Sequence, residues 1–172
     1  YKRQALAEIE GGTRAQVTAS GLSAITVPLL AYLKTGEHIL VPDSVYGPTR
    51  SFCDSLLKRF GVDTTYYDPM IAPAALEALF QPNTKVLFTE SPGSHTFEVQ
   101  DIPALAKVAH AHGAKVFLDN TWGLLHFAPF AHGVDVSIHA LTKYVGGHSD
   151  IILGGVVVNL SLIHISEPTR PY

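Results

Sequence analysis

Lys143 directly follows the apolar run of residues 134–141, in the order Ala140-Leu141-Thr142-Lys143-Tyr144. A lysine delivered by a buried strand stands at the edge of a desolvated region, where lost hydration favours the neutral amine, and a neutral amine can form an imine. The alternative is a solvated lysine in a surface loop. Asp119 ends a second apolar run, residues 115–118. A carboxylate there can pair with a protonated pyridine nitrogen and keep a cofactor ring electron-poor, or it can simply cap a turn. Tyr46, just before Gly47-Pro48, offers a ring that can stack on another ring or relay a proton, against an ordinary packing role. Ser20-Gly21-Leu22 opens a predicted helix, so the Gly21 and Leu22 N–H groups can cradle a phosphate, with Thr142 able to add a hydroxyl. Small residues before a helix are also common without any ligand.

The remaining chemistry-bearing residues point to less. The chain has nine histidines. His110 and His112 are two apart on a predicted helix and do not share a face, while His126, His132, His139 and His148 lack ligand spacing, so no metal site is expected. His148-Ser149-Asp150 holds nucleophile, base and acid types, but adjacent residues rarely align as a triad, and the segment reads as a turn. Cys53 falls on the apolar face of a predicted helix and reads as a packed small side chain.

Short β-branched runs alternating with amphipathic stretches predict an α/β fold, a mostly parallel sheet with flanking helices. Strands are predicted at residues 15–19, 38–42, 62–67, 85–89, 115–118, 134–141 and in the apolar run before Asn159. Helices are predicted at residues 4–10, 22–33, 48–60 and 73–80, with Pro28 able to kink the second. A further helix is capped by Asp101, carries Pro103 in its first turn, buries Leu105 and Val108, and ends at Gly113. Asp119 and Lys143 then sit where strands end, the edge at which open α/β sheets bind ligands.

The sequence has 172 residues, with 12 Lys plus Arg against 15 Asp plus Glu, a formal charge of −3. That field is too weak to favour nucleic acid or an anionic membrane. With 47% apolar and 16% charged residues the chain is not disordered, and some of its surface is expected to meet another chain. Its uncharged runs are broken by Pro28, Gly154, Gly155 and Asn159 and fall short of the roughly 18 apolar residues that a membrane span needs. A single cysteine allows no internal disulfide and suits a reducing compartment, by default the cytoplasm. Tyr1 is not an ordinary start, so an N-terminal portion is expected to be missing. Residues 160–170, LSLIHISEPTR, look like a translated library adapter, which leaves residues 1–159 as the native part and residues 160–172 as a non-native tail.

Residues 135–149, DVSIHALTKYVGGHS, resemble the pyridoxal-phosphate attachment signature of the cysteine and methionine metabolism enzymes. EIEGG, TASGLSAI, SVYGPTRSFCD, ESPGSHTFEV and LDNTWG extend the resemblance over nearly all of residues 1–159. It implies the large cofactor-binding domain of a fold-type I transferase, here incomplete, with pyridoxal 5'-phosphate as cofactor. It also implies a cystathionine-type amino-acid substrate and a tetramer built of dimers. In the family's terms Lys143 matches the attachment lysine, Asp119 the partner of the pyridine nitrogen, and Tyr46 the stacked tyrosine and candidate proton donor to the leaving sulfur. Gly21 and Leu22 match the backbone phosphate donors and Thr142 a hydroxyl donor. Ala140 stands where relatives often carry serine, so one phosphate contact is absent or replaced. Ser94-His95 in place of Asn-Pro, and Trp122 in place of phenylalanine, lean toward β-elimination rather than the γ-elimination or γ-replacement of sister enzymes. Tyr1-Lys2-Arg3 resembles a family phosphate motif but lies too near Glu10-Gly11-Gly12, so neither Tyr1 nor Arg3 receives a role. The domain that grips the substrate carboxylate is not represented. A non-catalytic nucleotide-binding module is the competing class, and it lacks a G-x-G-x-x-G after the first strand.

Overall fold

Alternation along the central strands separates two apolar faces. Ile39 and Val41, Val86 and Phe88, Phe117, and Val136 and Ile138 pack on one side with Ile25, Leu29, Phe52 and Leu57. Leu40, Leu87, Val116 and Leu118 pack on the other with Leu76, Leu105, Ala106 and Ala109. A sheet buried on both faces needs helices on both, and the chain supplies them. The computed structural model describes residues 2–159; Tyr1 and residues 160–172, including the stretch read as an adapter, lie outside the described residues.

The elements follow in the order α1 Lys2–Glu10, β1 Arg14–Thr18, α2 Gly21–Tyr32, β2 His38–Pro42, α3 Gly47–Phe52, β3 Asp63–Tyr67 and α4 Pro73–Glu77. Then come β4 Thr84–Glu90, α5 Ile102–Ala111, β5 Lys115–Asp119, β6 Val136–His139 and β7 Gly154–Val158. The sheet order is β1-β7-β6-β5-β4-β2-β3. β3, β2, β4, β5 and β6 pair in parallel, and β7 runs against both its neighbours, β6 and β1. The fold is thus the expected α/β type, with one reversed strand.

Local differences from the sequence reading have local causes. The helix expected over residues 48–60 begins as α3 and widens into a π-helical segment, Cys53–Leu57, beside the Ser55 hydroxyl that bonds the Ser51 carbonyl and competes with the backbone ladder. β6 is shorter than residues 134–141 because the Ala140 N–H turns away to the Thr121 hydroxyl at 2.8 Å and the Ala140 carbonyl accepts the Lys143 N–H. α4 ends early in turns that bond Leu79 to Leu76 and Phe80 to Glu77, just before Pro82. α2 continues through Pro28, and Gly11, with φ +72, closes α1. Asp101 caps α5 through the Ala104 N–H, whose buried face is Ile102, Leu105, Ala106 and Ala109, with Val108 half-buried at its margin.

Leu105 is 2% exposed between α5 and the sheet. Leu105→Ala is expected to lower stability by about 2–5 kcal/mol, read as a shift in the urea midpoint of the full-length protein.

Candidate active site

Asp119 is the last residue of β5, in register with Glu90, the last residue of β4. By alternation with Phe117 and Phe88 both side chains belong to the face covered by α2 and α3. Asp119 Oδ1 accepts the Thr121 N–H at 3.1 Å and the Thr121 hydroxyl at 2.6 Å. Asp119 Oδ2 receives no hydrogen bond from the described residues. Burial raises the Asp119 pKa, and the Thr121 bonds and the charge of His139 oppose this without cancelling it. A cation brought to Oδ2 would relieve that strain on the carboxylate.

The Thr121 hydroxyl, which donates to Asp119, also accepts the Ala140 N–H, so it links the turn after β5 to the turn after β6. That second turn carries Lys143. Its N–H bonds the Ala140 carbonyl and its carbonyl accepts the Gly147 N–H at 2.8 Å. The Lys143 side chain is exposed, and among the described residues Nζ has no hydrogen bond or ion pair.

α2 starts against the same turn. Ser20 caps it by accepting the Ser23 N–H at 3.1 Å, while Ser20 O accepts from Ala24, and the Gly21 and Leu22 N–H groups precede both bonds. A Cβ on Gly21 would stand 2.8 Å from Ala140 Cβ, and one on Gly154 would stand 2.0 Å from Ser20 O. Glycine at both positions lets the helix start approach the strand ends. Thr142 lies nearby, but its hydroxyl donates to Leu153 O at 3.1 Å and accepts the Leu153 N–H at 2.9 Å. Its one proton is committed to that backbone, so donation to a phosphate requires an exchange of partner.

Tyr46 caps α3 and is 43% exposed, with its N–H donating to Glu90 Oε2 at 2.9 Å. Burial, followed by the charge of Asp119, pushes the Glu90 carboxyl up to about 7 against the bonds from Tyr46 and Ser94. Sequence reasoning missed Glu90 as a site residue. Its signal was available: an acid ending an apolar strand, as Asp119 does.

The opposite face of the same strand ends holds a second polar group that was not anticipated. Glu10 Oε2 pairs with His139 Nε2 at 2.8 Å and accepts the Ser137 hydroxyl at 2.6 Å, while Asn120 Nδ2 donates to both Glu10 oxygens. Burial alone would raise the Glu10 pKa, but the bond and charge of His139 with the Ser137 and Asn120 donors hold it below the usual value. No sequence pattern connects a residue of α1 to a histidine of β6.

The chain belongs to the family of Cys/Met metabolism PLP-dependent enzymes, whose profile matches residues 3–167. It is 46% identical over 157 residues to the cystathionine beta-lyase of Bordetella avium, covering 91% of this chain and 39% of that protein. It is 41% identical over 161 residues to the cystathionine beta-lyase MetC of Escherichia coli K12, covering 91% and 40%. Among solved structures it superposes on cystathionine gamma-lyase from Lactobacillus plantarum complexed with L-serine, with a TM-score of 0.90 and 36% identity over 94% of this chain and 42% of that one. The chain therefore spans about two fifths of the length of the curated relatives it matches. Pyridoxal phosphate is the family's cofactor.

Two outcomes follow from this geometry. Glu10→Ala is expected to cost about 3 kcal/mol in urea unfolding of the full-length protein at neutral pH, because it leaves the buried His139, Ser137 and Asn120 donors without their shared acceptor. Because the folded-state pKa of Glu10 is lowered, its contribution is complete above its unfolded value near 4.5 and disappears as pH falls through the folded value, so the mutational difference shrinks in acid. Gly154→Ala displaces Ser20 and is expected to weaken pyridoxal phosphate binding about tenfold in a fluorescence titration, the equivalent of roughly 1.4 kcal/mol.

Proposed function

We propose that the full-length protein is a pyridoxal-phosphate-dependent carbon–sulfur lyase that cleaves cystathionine by β-elimination, releasing homocysteine and, after hydrolysis of the unsaturated product by one water, pyruvate and ammonia. The observation that carries this reading is the open Oδ2 of buried Asp119, one strand away from the turn that carries Lys143. The residues present fit the cofactor. Among the described residues Asp119 Oδ2 receives no hydrogen bond and can take a protonated ring nitrogen, and the Gly21 and Leu22 N–H groups at the start of α2 can take a phosphate. Lys143 Nζ is free for attachment, and Tyr46 is exposed at the same rim.

When bound, pyridoxal phosphate supplies an electron-poor ring that takes up the electron pair left by removal of the substrate's α-hydrogen. The chain's own residues do the rest. Asp119 keeps the ring nitrogen protonated by remaining a carboxylate beside it. Gly21 and Leu22 hold the phosphate through their N–H groups, and Thr142 serves as a further donor when its hydroxyl leaves Leu153. Lys143 is the attachment residue and, once released, its Nζ takes the α-hydrogen as a proton. The Tyr46 hydroxyl gives a proton to the leaving sulfur.

The names of the Bordetella and Escherichia relatives favour β-elimination, and the Lactobacillus structure favours γ-elimination as the second reading. We read residues 1–159 as part of the large cofactor-binding domain and residues 160–172 as a non-native tail, with the protein working in the cytoplasm as a tetramer built of two dimers. Among the described residues no helix is long and apolar enough to cross a membrane. Phe97, Trp122, Leu125 and Ile152 remain exposed around the strand-end loops, an apolar rim of the kind that other protein surfaces cover.

Full-length protein purified with pyridoxal phosphate is expected to show the visible absorption of a lysine-bound cofactor, and Lys143→Ala to lose it together with activity. Pyruvate released from cystathionine supports the β reading, whereas 2-oxobutyrate replaces it with the γ reading. Colour unchanged in the variant overturns the role of Lys143.

A further inference from the structure

Glu90 is the buried acid that the mechanism above leaves unused. It is 3% exposed at the end of β4, its N–H donates to Gln100 Oε1 at 3.3 Å, and its Oε2 accepts the Tyr46 N–H at 2.9 Å. The loops after β2 and β4 meet twice more. The Ser94 N–H donates to Ser44 O at 3.1 Å, and Gly93 sits so close that a Cβ there would stand 2.6 Å from Ser44 Oγ. The Tyr46 turn thus leans on the β4 loop, and Glu90 supplies the contact nearest the tyrosine. The Tyr46 carbonyl accepts the Thr49 and Arg50 N–H groups at the start of α3, and its own N–H is met from outside the helix by Glu90.

We propose that Glu90 is a positioning residue: its carboxyl group fixes the Tyr46 turn on one side and, as the neutral neighbour of Asp119, leaves the negative charge of the site on Asp119. The proposal rests on the cofactor reading for its catalytic meaning, while the contact with Tyr46 stands without it. Two carboxylates in register on adjacent parallel strands repel, so the charge of Asp119 raises the proton affinity of Glu90. The groups facing Glu90 are Asp119 from β5, the Tyr46 N–H from the α3 turn, Ser94 from its own loop and Gln100. None of them is a cation that would hold Glu90 ionised. Burial and the charge of Asp119 push the Glu90 carboxyl up to about 7, so its protonated form is populated at neutral pH. A protonated carboxyl group still accepts from Tyr46 at one oxygen and gains a donor at the other.

Two variants of the full-length protein separate acceptance from charge. E90Q keeps a neutral acceptor of the same size, and E90M fills the buried space without one. In cofactor-free protein, hydrogen exchange of the Tyr46 amide is expected to rise about tenfold in E90M and to stay within about threefold of wild type in E90Q, as for loss of a single backbone-directed bond of roughly 1.4 kcal/mol. With pyridoxal phosphate, E90M is expected to bind about tenfold more weakly and to lose most of the visible circular dichroism of the bound ring, both kept by E90Q. Wild-type exchange and affinity in E90M overturn the proposal. So does an E90Q protein as impaired as E90M, since a required negative charge would then be the explanation, and E90Q decides this even if E90M fails to fold. Wild-type protein that takes up no pyridoxal phosphate removes the lyase reading, and the exchange measurement on the cofactor-free protein still judges the hold of Glu90 on Tyr46.

Discussion

A single hydroxyl ties the two strand ends of the site together. Thr121 Oγ1 donates to Asp119 and accepts from Ala140, at 2.6 and 2.8 Å. The first bond holds the carboxylate of β5 by one oxygen and leaves the other without a hydrogen bond from the described residues. The second takes the Ala140 N–H out of the sheet, which stops β6 at His139 and starts the turn that carries Lys143. A threonine can serve both neighbours because its hydroxyl donates one proton and still has lone pairs to accept with. Valine, equal in shape, would leave the part-buried Ala140 N–H without this acceptor and Asp119 Oδ1 with only the bond from the residue-121 N–H.

The same strand ends carry acids on both faces, and the chain treats them differently. On one face Glu10 is held ionised by His139, Ser137 and Asn120, a group in which three donors converge on one carboxylate. On the other face Asp119 and Glu90 stand side by side with no cation among their hydrogen-bond partners. The first arrangement is closed and structural, joining α1 to β6 across most of the chain. The second is open, with an unused oxygen and raised proton affinity, the condition expected where a ligand completes the electrostatics.

What the sequence made legible was the local part of this design. β-Branched runs located all seven strands to within a few residues, and strand ends followed by polar residues placed Asp119 and Lys143 on one edge of the sheet. Periodicity says nothing of strand direction, so the antiparallel β7 came only from the structure. Nor does it report hydroxyls that compete for backbone groups, which is why β6 and the helix over residues 48–60 departed from their expected courses. Glu10 and His139 are 129 positions apart in the sequence and meet only through the fold. Thr142 was legible as a hydroxyl in the turn after β6, but not its bond to Leu153, because that partner arrives from the far side of a loop.

Lys143 shows how the two levels combine. Its main chain is bonded on both sides, to Ala140 and Gly147, and the preceding residue is clamped to Leu153 through both its backbone and its side chain. The following residue, Tyr144, packs its ring edgewise on Trp122 at 6.1 Å, and Trp122 in turn meets Phe97 at 5.2 Å. These three aromatics belong to the loops after β6, β5 and β4, the loops that follow His139, Asp119 and Glu90. Trp122 sits in the middle, and an indole in contact with both neighbours ties all three loops into one rim. The lysine backbone is therefore held from four directions while its amine has no partner among the described residues. That division suits the attachment and proton-transfer role proposed for Lys143, since a fixed base lowers the entropic cost of reaching the reacting atom and an amine without a partner has no bond to break first.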